Sequence, residues 1–209
     1  MRQRLFYGTL LAAVLGGLCL AAPQPAIVQR AGQWTAELKF EHPQQISVPW
    51  GRNGSTRFWY TILSITNRTG QDVEFYPSCD LLTDTFQIVP AGRNVPPVVF
   101  QQVQQRHAAI YPFLEPLEKA ENRLLQGEDN TKDLIIIWQD FDPNATGFKL
   151  FITGLSNETA VVPHPVAVDE NDRPVPVFLR KTLQLNYSLP SDPNLRPSVE
   201  TVYRGQDWV

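Results

Sequence analysis

The chain has 209 residues, with 18 Lys and Arg against 21 Asp and Glu, a formal charge of −3 at neutral pH. No basic patch stands out, which argues against nucleic acid as a partner, because phosphate binding needs clustered Lys and Arg. Aromatic residues make up 11% of the chain, core material that argues against a disordered tail despite 18 prolines.

The N-terminal "MRQRLFYGTLLAAVLGGLCLAAPQPA" places Arg2 and Arg4 before an apolar run and small residues before Pro23. That order predicts a secretory signal peptide over residues 1–22, cut after Ala21 or Ala22. A retained membrane anchor is the alternative, since the run from Leu5 to Ala22 approaches the ~20 residues that span a bilayer. Tyr7, Gly8 and Thr9 shorten its apolar part. Cys19 follows Leu18, too large for a lipidation site, and belongs to the signal. Without Arg2 and Arg4 the chain keeps 16 basic residues against 21 acidic ones, a formal charge of −5. Cys79 is then the lone cysteine, so no intrachain disulfide forms and a half-buried packing role is expected. Residues 23–32 read as a leader and 33–209 as one domain, long enough to fold without staples.

In "WTAELKF" Trp34, Ala36, Leu38 and Phe40 alternate with polar residues, a strand with one wet face. "RFWYTILSIT" is apolar on both parities, with Phe58, Tyr60 and Ile62 on one and Trp59, Leu63 and Ile65 on the other, which predicts a central strand covered on both faces. "ITNRTGQDVEFYP" then reads as strand, tight turn and strand: Asn67 to Gly70 suit the turn and Pro77 ends the second strand. One further strand is expected from Leu81 to Val89.

"PPVVFQQVQQRH" sets Val99, Phe100 and Val103 at helical spacing behind two prolines. "LEPLEKAENRLL" also allows helix, so one or two short helices are expected as an insertion near 96–125. Strands return at "DLIIIWQD", "GFKLFITGL" and "VFLRKTLQLNYSL", with a last one through "VETVYRG" to Trp208. Between them "VVPHPVAVDENDRPVPV" reads as a long surface loop. The tally is an all-β, immunoglobulin-like antiparallel β-sandwich of about eight or nine strands with a short helical insertion.

Among candidate sites, "DFDPNATG" spaces Asp140, Asp142 and Asn144 two apart, as calcium loops space their oxygen ligands. Ala145 stands where the turn Gly of such a loop belongs and Phe151 where its closing Glu belongs, so an Asx-rich connection is the preferred reading. His42, His107 and His164 lie far apart, without zinc spacing. Ser156 is followed by Asn157 and Glu158, which do not build a nucleophile elbow. Trp34, Trp59 and Trp138 are expected in the core; Trp50 and Trp208, near segment ends, are the ones that could stack on sugar rings, with core or edge packing the preferred reading for them. N-x-[ST] sequons begin at Asn53, Asn67, Asn144, Asn157 and Asn186; glycosylation needs a eukaryotic-type pathway, and turn conformation is the preferred explanation of their composition. No catalytic, cofactor-binding or metal-binding residue is therefore assigned, and no cofactor is expected.

"TNRTGQDVEFYP", "LLQGEDNTKDLIIIW", "FDPNATGFKLFITGLSN" and "RKTLQLNY" together resemble a group of secreted proteins of planctomycete-type bacteria, akin to bacterial extracellular immunoglobulin-like domains. The resemblance, over about Trp34 to Trp208, implies the sandwich and carries no function to transfer. The expected function is a secreted or periplasmic, non-catalytic structural or protein-interaction module with a protein or cell-envelope partner. The alternative is a Ca²⁺- or carbohydrate-binding extracytoplasmic module. Membrane attachment is expected only if the signal segment is retained.

Overall fold

The computed structural model describes residues 32–49 and 54–209. The expected signal, Cys19, most of the leader, Trp50 and the sequon at Asn53 lie outside the described residues. In chain order come β1 (Glu37–Phe40), β2 (Gln44–Pro49), β3 (Ser55–Asn67), β4 (Val73–Glu74), β5 (Ser78–Thr83) and β6 (Ile88–Pro90). Helix α1 (Pro97–His107) is followed by β7 (Glu115–Pro116), β8 (Arg123–Leu124), β9 (Gly127–Gln139) and β10 (Gly147–Thr153). The chain ends through β11 (Thr159–Val168), β12 (Pro174–Arg180), β13 (Leu183–Ser188) and β14 (Val202–Trp208). Nine of these strands are six residues or longer; seven of them, with the short β1, β6 and β7, make the two sheets of the expected sandwich, and β11 and β12 stand apart from it.

The first sheet is built on β3 and β9, thirteen residues each, paired antiparallel with Trp59 opposite Trp138. The other edge of β3 carries β2 along its first half and β1 along its second, while β7 joins β9 in parallel. The second sheet runs β14-β13-β10-β5-β6, antiparallel throughout. The double apolar parity of β3 follows from cover on both faces. Phe58, Tyr60 and Ile62 pack with Ile135 and Ile137 beneath Val99 and Val103 of α1. Trp59, Leu63 and Ile65 pack with Leu134, Ile136 and Trp138 against Leu81, Leu150, Ile152 and Leu185 of the second sheet. The layers are thus helix, sheet and sheet. Val99 and Val103, four residues apart, share one face of α1, and each contributes about 1.5–3 kcal/mol by burial. Pro97 suits the first turn of α1, and Arg106 and His107 lie at its negative C-terminal end.

The stretch after Ile65 departs from the expected hairpin. Asn67 is 1% exposed, and its Nδ2 donates to the carbonyls of Gln71 (2.8 Å) and Leu124 (2.9 Å). Its Oδ1 accepts from the backbone N–H and hydroxyl of Thr69. Held this way, the chain leaves the first sheet, and β4 pairs with β8, Val73 opposite Leu124. The same pairing cancels the second expected helix. Leu117 and Leu124 enter the main core, but only Leu117–Lys119 forms a 3₁₀ turn, because the strand pairings of Glu115 and Arg123 override local helix preference.

Three other runs divide differently from the sequence pattern. Residues 81–89 fold back at a turn where the Thr83 hydroxyl accepts from the Gln87 N–H, giving β5 and β6. The run from Phe178 onward breaks after Arg180 into β12 and β13. The proline-rich stretch expected as a surface loop is the hairpin β11–β12, whose strands pair with each other and with no other strand.

Candidate functional site

The Asp140 loop, the sharpest motif of the sequence, is built from internal contacts. Asp140 Oδ2 accepts from Arg57 Nε (2.9 Å) and Nη2 (2.5 Å), and Oδ1 accepts from the indole N–H of Trp59 (2.8 Å). Asp142 Oδ1 accepts from the backbone N–H (2.9 Å) and side-chain amide (3.1 Å) of Asn144, an Asx turn. Hydrogen bonds from the Thr85 hydroxyl and the Asn144 N–H hold the Asp142 carboxyl below its ordinary range. Behind the loop lies Arg196, 1% exposed, donating to the carbonyls of Pro143 (2.8 Å) and Ala145 and stacked over Phe141. The structure brings Asp142 and Asn144 together and turns Asp140 toward Arg57 and Trp59. Among the described residues no group of three or more His, Cys, Asp or Glu side chains is placed to hold a metal ion.

The histidines are dispersed. His42 stacks on Tyr203 at 5.2 Å; His107 Nε2 lies 3.0 Å from the Tyr60 hydroxyl, with burial pushing its pKa down. His164 Nδ1 accepts the backbone N–H groups of Val166 and Ala167. Ser156 donates to the carbonyl of Trp34 at 2.8 Å and is bonded to no histidine. Cys79 is fully buried instead of half-buried, and desolvation raises its thiol pKa well above the ordinary value. Trp59 and Trp138 lie in the core as expected, and Lys181 sits 5.0 Å over the ring of Trp208.

Trp34 differs from expectation. It packs against the main core and also lines a cleft of about 540 Å³ at one end of the sandwich, where β4, the end of β10 and the root of β11–β12 meet. Its backbone is pinned on both sides: its N–H donates to Asn157 Oδ1 (2.7 Å), and its carbonyl accepts from the Ser156 hydroxyl. Tyr76, 55% exposed, lines the same cleft. Gly154 takes φ +82° beneath it, and a Cβ there would sit 2.5 Å from the Tyr76 carbonyl oxygen, so the wall needs glycine.

From the rim of this cleft rises the β11–β12 arm. Val161 faces Phe178 and Ala160 faces Leu179 across it, so both faces carry apolar side chains. Phe178 is 67% exposed and Val166 83%. Pro163 lies opposite Pro176. Neither can donate, so they form a non-hydrogen-bonded pair whose backbone nitrogens point outward, along edges that offer no N–H there. At the root, Lys181 Nζ meets Glu158 at 2.5 Å, and Glu158 also accepts from the Thr35 hydroxyl at 3.3 Å. The Lys181 ammonium holds the Glu158 carboxyl below its usual range. Neither the arm nor Trp34 was legible as a surface feature: prolines masked the strands of one, and strand alternation put the other in the core.

No family model, curated protein or solved structure matches this chain.

Proposed function

We propose that this protein is an extracytoplasmic, non-catalytic interaction module that docks a protein or cell-envelope partner through the β11–β12 arm. The observation that carries this is a hairpin paired only to itself that holds Val161, Val166, Val168, Phe178 and Leu179 in solvent. An isolated two-stranded hairpin is marginal in water, and exposed apolar surface of this kind marks interaction sites. The prolines along its edges disfavour strand addition, so the partner contacts the faces.

The non-catalytic character is supported by the dispersed histidines, none of which is hydrogen-bonded to a serine, threonine or cysteine among the described residues. The extracytoplasmic location and the kinship with secreted planctomycete-type immunoglobulin-like proteins rest on the sequence patterns alone. No described helix is long and apolar enough to cross a membrane. The test is cross-linking in the native envelope with wild type and a Val161→Ser, Phe178→Ser, Leu179→Ser variant. A wild-type adduct lost in the variant at unchanged Tm supports arm docking. Identical adducts, or none with either protein, refute it.

A further inference from the structure

We infer that the cleft between Trp34 and Tyr76 is a binding site for a neutral, hydroxyl-rich saccharide. Three kinds of observation converge there. The first is size: about 540 Å³ falls within the range of small-ligand clefts, roughly 300–1,000 Å³. The second is the pairing of aromatic and polar walls. Trp34 and Tyr76 supply apolar ring surface, and the apolar C–H face of a pyranose rests on such rings while its hydroxyls reach the polar wall.

The third observation distinguishes this cleft from two other concavities among the described residues. Five of its polar side chains are uncommitted: the Gln71 amide, Glu74 carboxylate, Tyr76 hydroxyl, Thr159 hydroxyl and Arg180 guanidinium line it without a hydrogen bond or ion pair to any described residue, while Asp72 is bonded to Arg123 and Ser156 and Asn157 to the Trp34 backbone. By contrast, in the cleft of about 510 Å³ around His42, Gln44 accepts from Tyr60, Gln45 donates to the Arg196 carbonyl and Thr201 donates to the Pro43 carbonyl. In the one beside Phe113, Lys132 is paired with Glu115 and Glu121, and Asp133 accepts from Ser64. A sugar ring offers each hydroxyl as both donor and acceptor, which is what a wall of amide, carboxylate, hydroxyl and guanidinium groups can satisfy together. Of the charged residues that line it, Asp72 is neutralised by Arg123 from outside and Glu74 and Arg180 offset one another, so the site favours a neutral ligand over an acidic one.

The walls are also held in place. Asn157 and Ser156 fix the backbone of Trp34, and Gly154 lets β10 approach Tyr76, so the ordering cost on ligand arrival falls on the uncommitted side chains and not on the backbone. The site does not depend on the arm's apolar faces, although Thr159 and Arg180 at the arm's root contribute to it.

The experiment is a glycan array of neutral and acidic polysaccharides, followed by titration of positive oligosaccharides monitored by tryptophan fluorescence. The proteins are wild type, Tyr76→Ala, Glu74→Gln and the triple arm variant. Expected is saturable binding to at least one neutral glycan, weakened tenfold or more by Tyr76→Ala and by Glu74→Gln at unchanged Tm, and retained by the arm variant. A blank array, binding to acidic glycans only, or affinity indifferent to both cleft substitutions overturns the inference. Loss in the arm variant alone overturns it too, and leaves arm docking of proteins to be judged by its own cross-linking.

Discussion

Trp59 donates its indole N–H to Asp140 at 2.8 Å, and that bond makes a calcium-like motif into a piece of the core. Asp140→Ala strands the fully buried indole N–H and leaves Arg57 without its carboxylate, at an expected cost of about 1–3 kcal/mol. Asp142→Ala removes only an exposed Asx turn and is expected to cost less than about 1 kcal/mol. Urea unfolding of the two variants checks the order, and added Ca²⁺ is expected to leave Tm unchanged in wild type.

Arg196 joins the segment before β14 to the loop between β9 and β10 through the carbonyls of Pro143 and Ala145. Arg196→Ala leaves these carbonyls and the face of Phe141 uncovered, with an expected loss of about 3 kcal/mol. Hydrogen exchange is expected to rise in both loops at once. An increase confined to one loop would contradict the coupling.

Glycosylation at Asn67 is incompatible with this fold, since its amide nitrogen donates to the carbonyls of Gln71 and Leu124 and its amide oxygen accepts from Thr69. Expression through a glycosylating secretory pathway is expected to give misfolded protein wherever Asn67 is modified. Replacing Thr69 by Ala, which removes that sequon, is expected to restore yield at the cost of one hydroxyl bond to Asn67. Mass mapping of soluble and aggregated fractions decides it.

Acid is expected to loosen the root of the arm. The folded-state pKa of Glu158 is depressed by Lys181, so its contribution is present above the unfolded carboxylate range of about 4.3 and disappears as pH falls through the lower folded value. Limited proteolysis near Thr159 and Lys181 should accelerate on going from pH 7 to pH 3. Glu158→Gln should cleave faster at pH 7 and respond less to acid.

Cys79 is expected to resist alkylation in the native protein at pH 8 and to react fully in denaturant, because burial raises its thiol pKa and blocks access. Native labelling at the rate of a free thiol would show that β5 opens readily.

The sandwich was legible because period-two alternation and the doubly apolar "RFWYTILSIT" report burial directly. Pairing was less legible. Nothing local in "ITNRTGQDVEFYP" tells that Asn67 will spend its amide on Leu124, 57 residues away, and so send β4 to β8. A lone Arg in "SDPNLRPS" gives no sign that it will be buried. The cleft was hidden for a related reason: alternation assigned Trp34 to the inner face, which it does contact, but it cannot report that the strand end leaves part of a ring at a rim. Local pattern records which side chains leave water, and long-range partners decide what they meet.

The facing prolines of the arm take one backbone donor from each of its edges at the same height. At that point an added strand would find no N–H to accept from, whereas the pair Val161 and Phe178, two residues along, still turns its backbone N–H groups outward, so each edge is interrupted and not closed. Pairing that would spread from one copy of this chain to the next along the arm thus meets a gap at its middle, a brake on fibre growth written into two imino acids.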